Sequence, residues 1–143
     1  MATILVPIDP ESEASWRQAL PAAMREAKRT GSHVHLISVL PDFGMSLVGQ
    51  YFPPDFKAET DRHAREALDK IAEEMLGDAV NWSTHAAHGG VTDVIMNFID
   101  DLSPRLVVMA AHPPSVMHDL LVGSHADRVV SRAPCSVLVV RGG

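Results

Sequence analysis

The chain has a single cysteine, few cationic side chains and no long apolar run. Cys135 alone cannot form an internal disulfide or a thiolate metal cluster, which favours a reducing compartment and a small buried thiol entering a strand. Lys and Arg number 12 against 18 Asp and Glu, so the chain lacks the basic surface that nucleic acids and anionic membranes require. No apolar run approaches the roughly 18 residues of a membrane span, and the first residues lack signal-peptide character. We therefore expect a cytoplasmic protein without a nucleic-acid partner and without membrane insertion.

Hydrophobic residues, in contrast, make up 46% of the 143 residues, which is enough for one domain spanning 1–143 with a sizeable core. Short β-type runs alternate with helical periodicities along the whole chain. This alternation predicts an α/β fold: an open parallel five-stranded sheet with helices on both faces. The predicted strands are residues 4–8, 33–39, 80–86, 106–110 and 137–140.

The apolar pattern also predicts where the strands and helices lie. The third strand alternates apolar and polar residues, which is typical of a sheet edge, whereas the fourth is apolar throughout and should be central. The first helix should run through Trp16 and Leu20 to Ala27, with a kink at Pro21. The last helix should turn four residues inward: Ala126, Val129, Val130 and Ala133. The long connection at residues 41–56 holds most of the aromatic residues. We interpret it either as a ligand lid or as a segment whose aromatic side chains cover the core or a subunit contact.

A ligand site is predicted where the first and fourth strands end. Small ligands bind open parallel sheets beyond the carboxyl ends of strands whose crossovers leave to opposite faces. The first strand ends in Pro7-Ile8-Asp9 and the fourth in Ala110-Ala111-His112. Asp9 has two compatible roles: its side chain can cap the first helix before Pro10, or accept hydrogen bonds from ribose hydroxyls or an adenine amino group.

Gly123 and Ser124 precede the last amphipathic pattern and are predicted to open its helix. The N–H groups of Ser124, His125 and Ala126 would then face an anion at the positive end of the helix dipole. The alternative is that Ser124 is an ordinary N-cap with no ligand.

The sequence gives little support to other chemistries. It has no G-x-x-x-x-G-K-[ST] motif, and its lysines, Lys28, Lys57 and Lys70, all lie on predicted helices. A G-x-S-x-G elbow is also missing, which argues against a serine hydrolase. His33 and His35 share one strand face, but the eight histidines lack the short spacing of metal ligands, so no metal site is predicted.

Four segments together resemble the universal stress protein family over essentially the whole chain: "ILVPID", "HLISVLPD", "HGGVTDVI" and "GSHADRVVSRAPCSVLVVR". The resemblance implies a Rossmann-like sheet with strand order 3-2-1-4-5. It also implies that Asp9 contacts the nucleoside and that Val39 meets the adenine. The implied cofactor is ATP, with AMP or ADP as alternatives and Mg²⁺ as a candidate companion of the phosphates.

The chain departs from the family in the loop after the fourth strand. Nucleotide-binding members carry G-x-x-G, nine residues and G-[ST], whereas this chain has Ala110 and Pro113 at the first two glycine positions. Proline removes an N–H donor and fixes φ. The loop nevertheless resembles a bacterial subgroup with G-S-x-x-P-S that keeps ATP binding. His112 and Ser115 could supply side-chain donors to a phosphate in place of the lost backbone donors.

Three hypotheses for function follow from the residues and the resemblance. The first is an ATP-binding regulator with little or no catalytic activity, which acts in a stress response or beside a transporter. The second is an interaction protein of the same fold that has lost nucleotide binding. The third, a slow ATP hydrolase, lacks recognisable machinery. Family members pair their last strand with that of a second subunit, and an apolar strand at a sheet edge needs such cover. We therefore expect a homodimer through Val137 to Val140.

Overall fold

Strong β-forming runs and amphipathic helices alternate along the chain and build one parallel sheet. The computed structural model describes residues 2–40, 56–111 and 120–141, with the backbone alone for residues 56, 57 and 120–125. Its elements in chain order are β1 (Thr3–Pro7), α1 (Glu13–Trp16), α2 (Ala19–Thr30), β2 (His33–Leu40), α3 (Phe56–Met75), β3 (Trp82–His88), α4 (Val91–Leu102), β4 (Leu106–Ala111), α5 (Leu120–Arg132) and β5 (Ser136–Arg141).

The sheet has the order β3-β2-β1-β4-β5 with every pair parallel, as the sequence predicts. β1 pairs with β2 on one side and with β4 on the other, where Leu5 lies opposite Val107. Ile4, Leu5 and Val6 are completely buried, because helices cover both faces of this strand. The predictions of a central fourth strand and of an edge position for the third are confirmed.

Two apolar cores lie on opposite faces of the sheet. Alternate residues of β1 divide between them: Ile4 and Val6 pack against α1, α2 and α3, whereas Leu5 packs against α4 and α5. The crossovers β1 to β2 and β2 to β3 therefore lie on one face, and β3 to β4 and β4 to β5 on the other. The change of face falls between β1 and β4, which is where the sequence places the ligand site.

The predicted first helix is two helices. α1 ends at Trp16 and α2 begins at Ala19, with a turn at residues 17 and 18. The cause is Pro21, whose ring clashes with the carbonyl of residue 17 in a continuous helix and whose nitrogen cannot donate to it. In the first turn of α2 the missing N–H costs little, since that donor has no partner inside the helix.

Two predictions about α5 are wrong. The helix begins at Leu120, so residues 123–125 lie within its first two turns and Gly123-Ser124 does not open it. Leu120, Leu121 and Val122 extend the helix toward its N-terminus, and tertiary context accommodates the glycine at a cost of about 1 kcal/mol. Ala126 and Val129 are buried as predicted, but Val130 is 50% exposed because it lies beside the inward stripe.

Two side-chain pairs fix α3 on the edge strand β3. The Thr84 hydroxyl donates to Asp69 at 2.5 Å, and the His88 ring hydrogen-bonds to Asp61. Because His88 is the last residue of β3, the contact of Asp61 holds the amino-terminal half of α3 at the carboxyl end of this strand. None of the helices in the described ranges is long and apolar enough to cross a membrane.

Candidate functional site

A cavity of about 550 Å³ opens at the carboxyl ends of β1, β2 and β4, where the helices change face. Its walls come from both helical layers, with α3 on one side and α4 on the other. Eighteen described residues line it: Pro7, Ile8, Asp9, Pro10, Glu11, Ser15, Ile37, Ser38, Val39, Leu40, Thr60, His63, Ala64, Ala67, Val91, Ile95, Met109 and Ala110. The volume lies within the range of pockets that enclose a small organic ligand.

The loop after β1 is built around the buried hydroxyl of Ser15. The Asp9 N–H donates to Ser15 Oγ at 2.8 Å, and the hydroxyl of Ser15 has the carbonyls of Asp9 (2.9 Å) and Ser12 (2.7 Å) as acceptors. The Ser12 N–H closes a turn onto the Asp9 carbonyl at 2.9 Å. These bonds fix Asp9 at the rim of the cavity. No sequence signal pointed to Ser15.

The Asp9 side chain does not cap a helix. The N-cap of α1 is Ser12, three residues further on, and Asp9 Oδ1 instead accepts the Glu11 N–H at 3.0 Å. This local turn forms because Pro10 has no N–H and the next donor along the chain is that of Glu11. The helix-cap interpretation of Asp9 is therefore wrong, and its exposed carboxylate lines the cavity.

One wall of the cavity is the amino-terminal half of α3, which sequence reasoning missed. Thr60, Ala64 and Ala67 recur at i, i+4 and i+7 and extend the buried stripe of this helix by two turns toward the cavity. Alanine side chains are short, and so they leave space between the helix and the ends of the strands. The sequence signal for this wall is the same repeat, which continues from Leu68, the first fully buried residue of the stripe, toward the N-terminus of the helix.

Five predicted site residues line the cavity together: Pro7, Ile8, Asp9, Val39 and Ala110. Ala111 ends β4 and is not among the lining residues. Gly123, Ser124 and His125 have a described backbone within α5, and their side chains lie outside the described residues. His112 and Ser115 fall in residues 112–119, which also lie outside the described part.

A second polar group lies on β2 and β3, away from the cavity. His35 Nδ1 and His85 Nε2 are hydrogen-bonded at 2.9 Å, and His33 Nε2 is 2.7 Å from Ser83 Oγ. His33 and His35 share a strand face as predicted, with ring centroids 4.6 Å apart. Within the described ranges, no group of His, Cys, Asp and Glu is arranged to hold a metal ion.

Two of these imidazoles, those of His35 and His85, have a lowered pKa, which favours their neutral form. Burial lowers the pKa of His35 to about 4, and the neighbouring His33 and His85 act in the same direction. Burial, Arg65 and His33 likewise lower the pKa of His85. A hydrogen bond between two rings needs one nitrogen to accept, so protonation of both rings breaks it.

Comparison with known proteins identifies the family. The family model described as "Universal stress protein family" matches residues 1–141. The chain belongs to the universal stress protein family. A putative universal stress protein of Staphylococcus epidermidis is 28% identical over 141 residues, covering 96% of this chain and 82% of that one. The solved universal stress protein UspA from Lactobacillus plantarum is 26% identical with a TM-score of 0.73, covering 98% of this chain and 97% of that one.

Two further solved structures of the family contain adenine nucleotides. A universal stress protein in complex with cAMP superposes with a TM-score of 0.64 at 20% identity, covering 99% of this chain and 98% of that one. A family member from Arabidopsis thaliana with AMP bound superposes with a TM-score of 0.65 at 16% identity, covering 100% of this chain and 93% of that one. At these identities the likeness concerns the fold.

Replacing Ser15 with alanine tests the loop after β1. We expect S15A to lower the free energy of unfolding by about 1–3 kcal/mol, because the Asp9 N–H loses its partner in a partly buried setting. The matched control is S12A, since the Ser12 side chain makes no capping bond and its loss should change stability by less than about 0.5 kcal/mol. Urea unfolding measures both. Equal losses in the two variants would show that the Ser15 hydroxyl does not organise the loop.

The histidine group predicts a loss of stability in mild acid. Since the pKa of His35 is about 4 in the folded protein and ordinarily about 6.5, the unfolded chain binds more protons between these values. The contribution is fully present above about pH 6.5 and is lost as the pH falls toward 4. Thermal unfolding between about pH 7.5 and 5.5 should show a falling Tm, with a smaller fall in H35Q. An equally steep fall in H35Q would assign the pH dependence to other groups.

Proposed function

We propose that this universal stress protein is a regulator that binds an adenine nucleotide: ATP, ADP or AMP. The observation that carries the proposal is the cavity at the carboxyl ends of β1, β2 and β4, which brings Asp9, Val39 and Ala110 together. Ligands bind at this point of open parallel sheets. Two proteins of the same fold hold cAMP and AMP, and this supports the choice of an adenine ring.

The cavity offers both apolar and polar groups to such a ligand. Ile8, Val39 and Ile95 offer an apolar surface for a purine ring. Asp9 and Ser38 also line the cavity, and they offer polar groups for the hydroxyl or amino groups of a nucleoside. Binding pockets combine these two features in this way, with the apolar wall supplying affinity and the few polar groups fixing orientation.

A regulatory role without fast chemistry fits the residues of the cavity. A phosphotransferase needs Lys or Arg side chains, or a carboxylate-held Mg²⁺, to neutralise the charge that develops on the phosphates. The described lining residues include no Lys or Arg. The nucleotide would then control the affinity of the protein for a partner, for which a transporter is one candidate.

The proposal includes a homodimer formed through β5. This edge strand leaves Leu138 and Val139 more than a third exposed, and Val130 of the neighbouring helix is half exposed. Apolar side chains along an unpaired strand edge invite pairing with a second strand. The second copy of the chain offers the same strand.

A second candidate function is an interaction protein of the same fold that binds no nucleotide. Pro113 and Pro114 favour it, since neither can donate a backbone N–H to a phosphate. This candidate uses the β5 edge and leaves the cavity without a nucleotide.

Acid extraction of the purified protein, followed by calorimetric titration with adenine nucleotides, separates the two candidates. We expect bound or saturable adenine nucleotide and a loss of affinity of about tenfold or more in A64L, because the larger side chain fills the cavity. The matched control is A58L on an exposed position of the same helix, which should bind as the parent does. Neither bound nucleotide nor saturation at millimolar concentration would favour the interaction protein.

Sedimentation velocity over a range of concentrations tests the dimer. The parent chain should sediment as a dimer, and L138K should shift it toward the monomer, because a lysine on an edge strand opposes pairing. S131K adds the same charge on the exposed surface of α5 and should leave the dimer intact. A parent chain that stays monomeric at every concentration would contradict the proposal.

A further inference from the structure

The edge strand β3 has an open side, since among the described strands it pairs with β2 alone. A groove of about 520 Å³ lies along this side. The described residues that line the groove come from α3, β3 and α4: Arg65, Trp82, Ser83, Thr84, His85, Ala86 and Phe98. None of these residues lines the cavity at the strand ends, so the groove is a separate place on the molecule.

The backbone of β3 directs alternate peptide groups away from the sheet. The Asn81 carbonyl accepts the Val34 N–H at 2.9 Å, and every second residue of β3 from there on bonds to β2. The residues between them direct their N–H and C=O groups to the open side, and three of them line the groove: Trp82, Thr84 and Ala86. The groove therefore has the backbone donors and acceptors that an added strand requires.

Three residues of α3 spaced four apart lie beside β3: Asp61, Arg65 and Asp69. The outer two contact the strand through His88 and Thr84. The strand residue midway between these contacts is an alanine, whose methyl group offers the guanidinium no hydrogen-bond partner. Arg65 is exposed and forms no ion pair within the part of the chain that the structure describes. This cation is therefore available to a bound anionic group.

Arg65 also sets the sign of the charge in the groove. The described lining residues include no Asp, Glu or Lys. His85 lies on the other face of β3, where burial and the charge of Arg65 lower the pKa of its imidazole and keep it neutral near pH 7. The half-buried ring of Phe98 lies 5.3 Å from the His85 ring, measured between centroids. The groove is thus positively charged on the α3 side and aromatic on the α4 side.

An extended peptide beside β3 would lie about 4.8 Å from the strand and point successive side chains to opposite faces of the sheet. The residue opposite Ala86 has its side chain on the face that α3 covers, where a carboxylate can pair with Arg65. Its two neighbours in the peptide lie on the other face, beside Phe98. The edge strands of a second copy cannot supply this carboxylate, because neither β3 nor β5 contains Asp or Glu.

We propose that the open side of β3 binds an extended acidic segment of a partner protein by strand addition. An Asp or Glu of the segment pairs with Arg65, and apolar residues on either side of it contact Phe98. The segment also bonds to the outward peptide groups of β3, which supply affinity that does not depend on side chains. Arg65 selects the acidic partner.

Panning a phage-displayed library of random seven-residue peptides against the full chain tests the choice of partner. We expect the enriched sequences to share an Asp or Glu flanked on both sides by β-branched or aromatic residues. Panning against R65Q should lose the enrichment of acidic residues. The matched control is R62Q, which removes an exposed charge of the same helix outside the groove and should keep it. No enriched sequence, or the same sequences with R65Q, would overturn the proposal.

Hydrogen exchange with the most enriched peptide, made synthetically, tests strand addition. Saturation of the parent chain should slow exchange of the Trp82, Thr84 and Ala86 amides by about tenfold or more, because pairing protects them. Unchanged exchange of these amides would overturn strand addition, whatever the variants show.

A86P removes one outward N–H, which an edge strand tolerates, and should weaken binding of the peptide by about tenfold or more. A86S keeps this N–H and should bind as the parent does. Calorimetric titration measures both variants, and equal affinities would contradict backbone pairing at this edge. In sedimentation, A86P should associate as the parent does. A dimer lost in A86P would place a second copy on β3 and overturn the proposed partner.

Discussion

Parallel pairing of β1 with β4 is the constraint on which the rest of the structure depends. The two strands come from distant parts of the chain, with Leu5 opposite Val107, and their following helices cover opposite faces of the sheet. Both strands must be apolar on each face, because neither face is left to water. The cavity opens where the helical layers diverge, so its position depends on the fold and not on its polar residues.

The shape of this cavity depends on small side chains of α3 and on the buried hydroxyl of Ser15. Ala64 and Ala67 keep α3 from closing over the strand ends, although the contacts of Asp69 and Asp61 hold the helix firmly on β3. Ser15 ties the loop after β1 to itself and keeps the end of that strand at the rim. Stability and site geometry thus depend on the same few polar contacts.

The sheet could be predicted because strands buried on both faces appear in the sequence as apolar runs. The strand-end part of the site could be predicted because the carboxyl ends of parallel strands lie at the same edge of the sheet, whatever their side chains. Helix limits were harder, since they depend on tertiary context. Pro21 divides the first helix instead of kinking it, and the apolar residues before Gly123 extend α5 back to its observed start. Ser15, Thr60 and His63 were missed because they reach the cavity through a turn or a helix face, which only the packed structure shows.

Charge is the property that the fold leaves open, and the acidic residues of this site give its rim one sign. A common sheet and crevice can serve ligands of very different charge, since the crevice comes from apolar packing alone. Here the rim carries Asp9 and Glu11, and the sequence that follows β4 replaces backbone donors with Pro113 and Pro114. Neither feature alters the apolar lining of the same cavity, which includes Ile8, Val39 and Ile95. The choice of ligand thus depends on the residues that the loops place at the strand ends, and the sheet alone does not determine it.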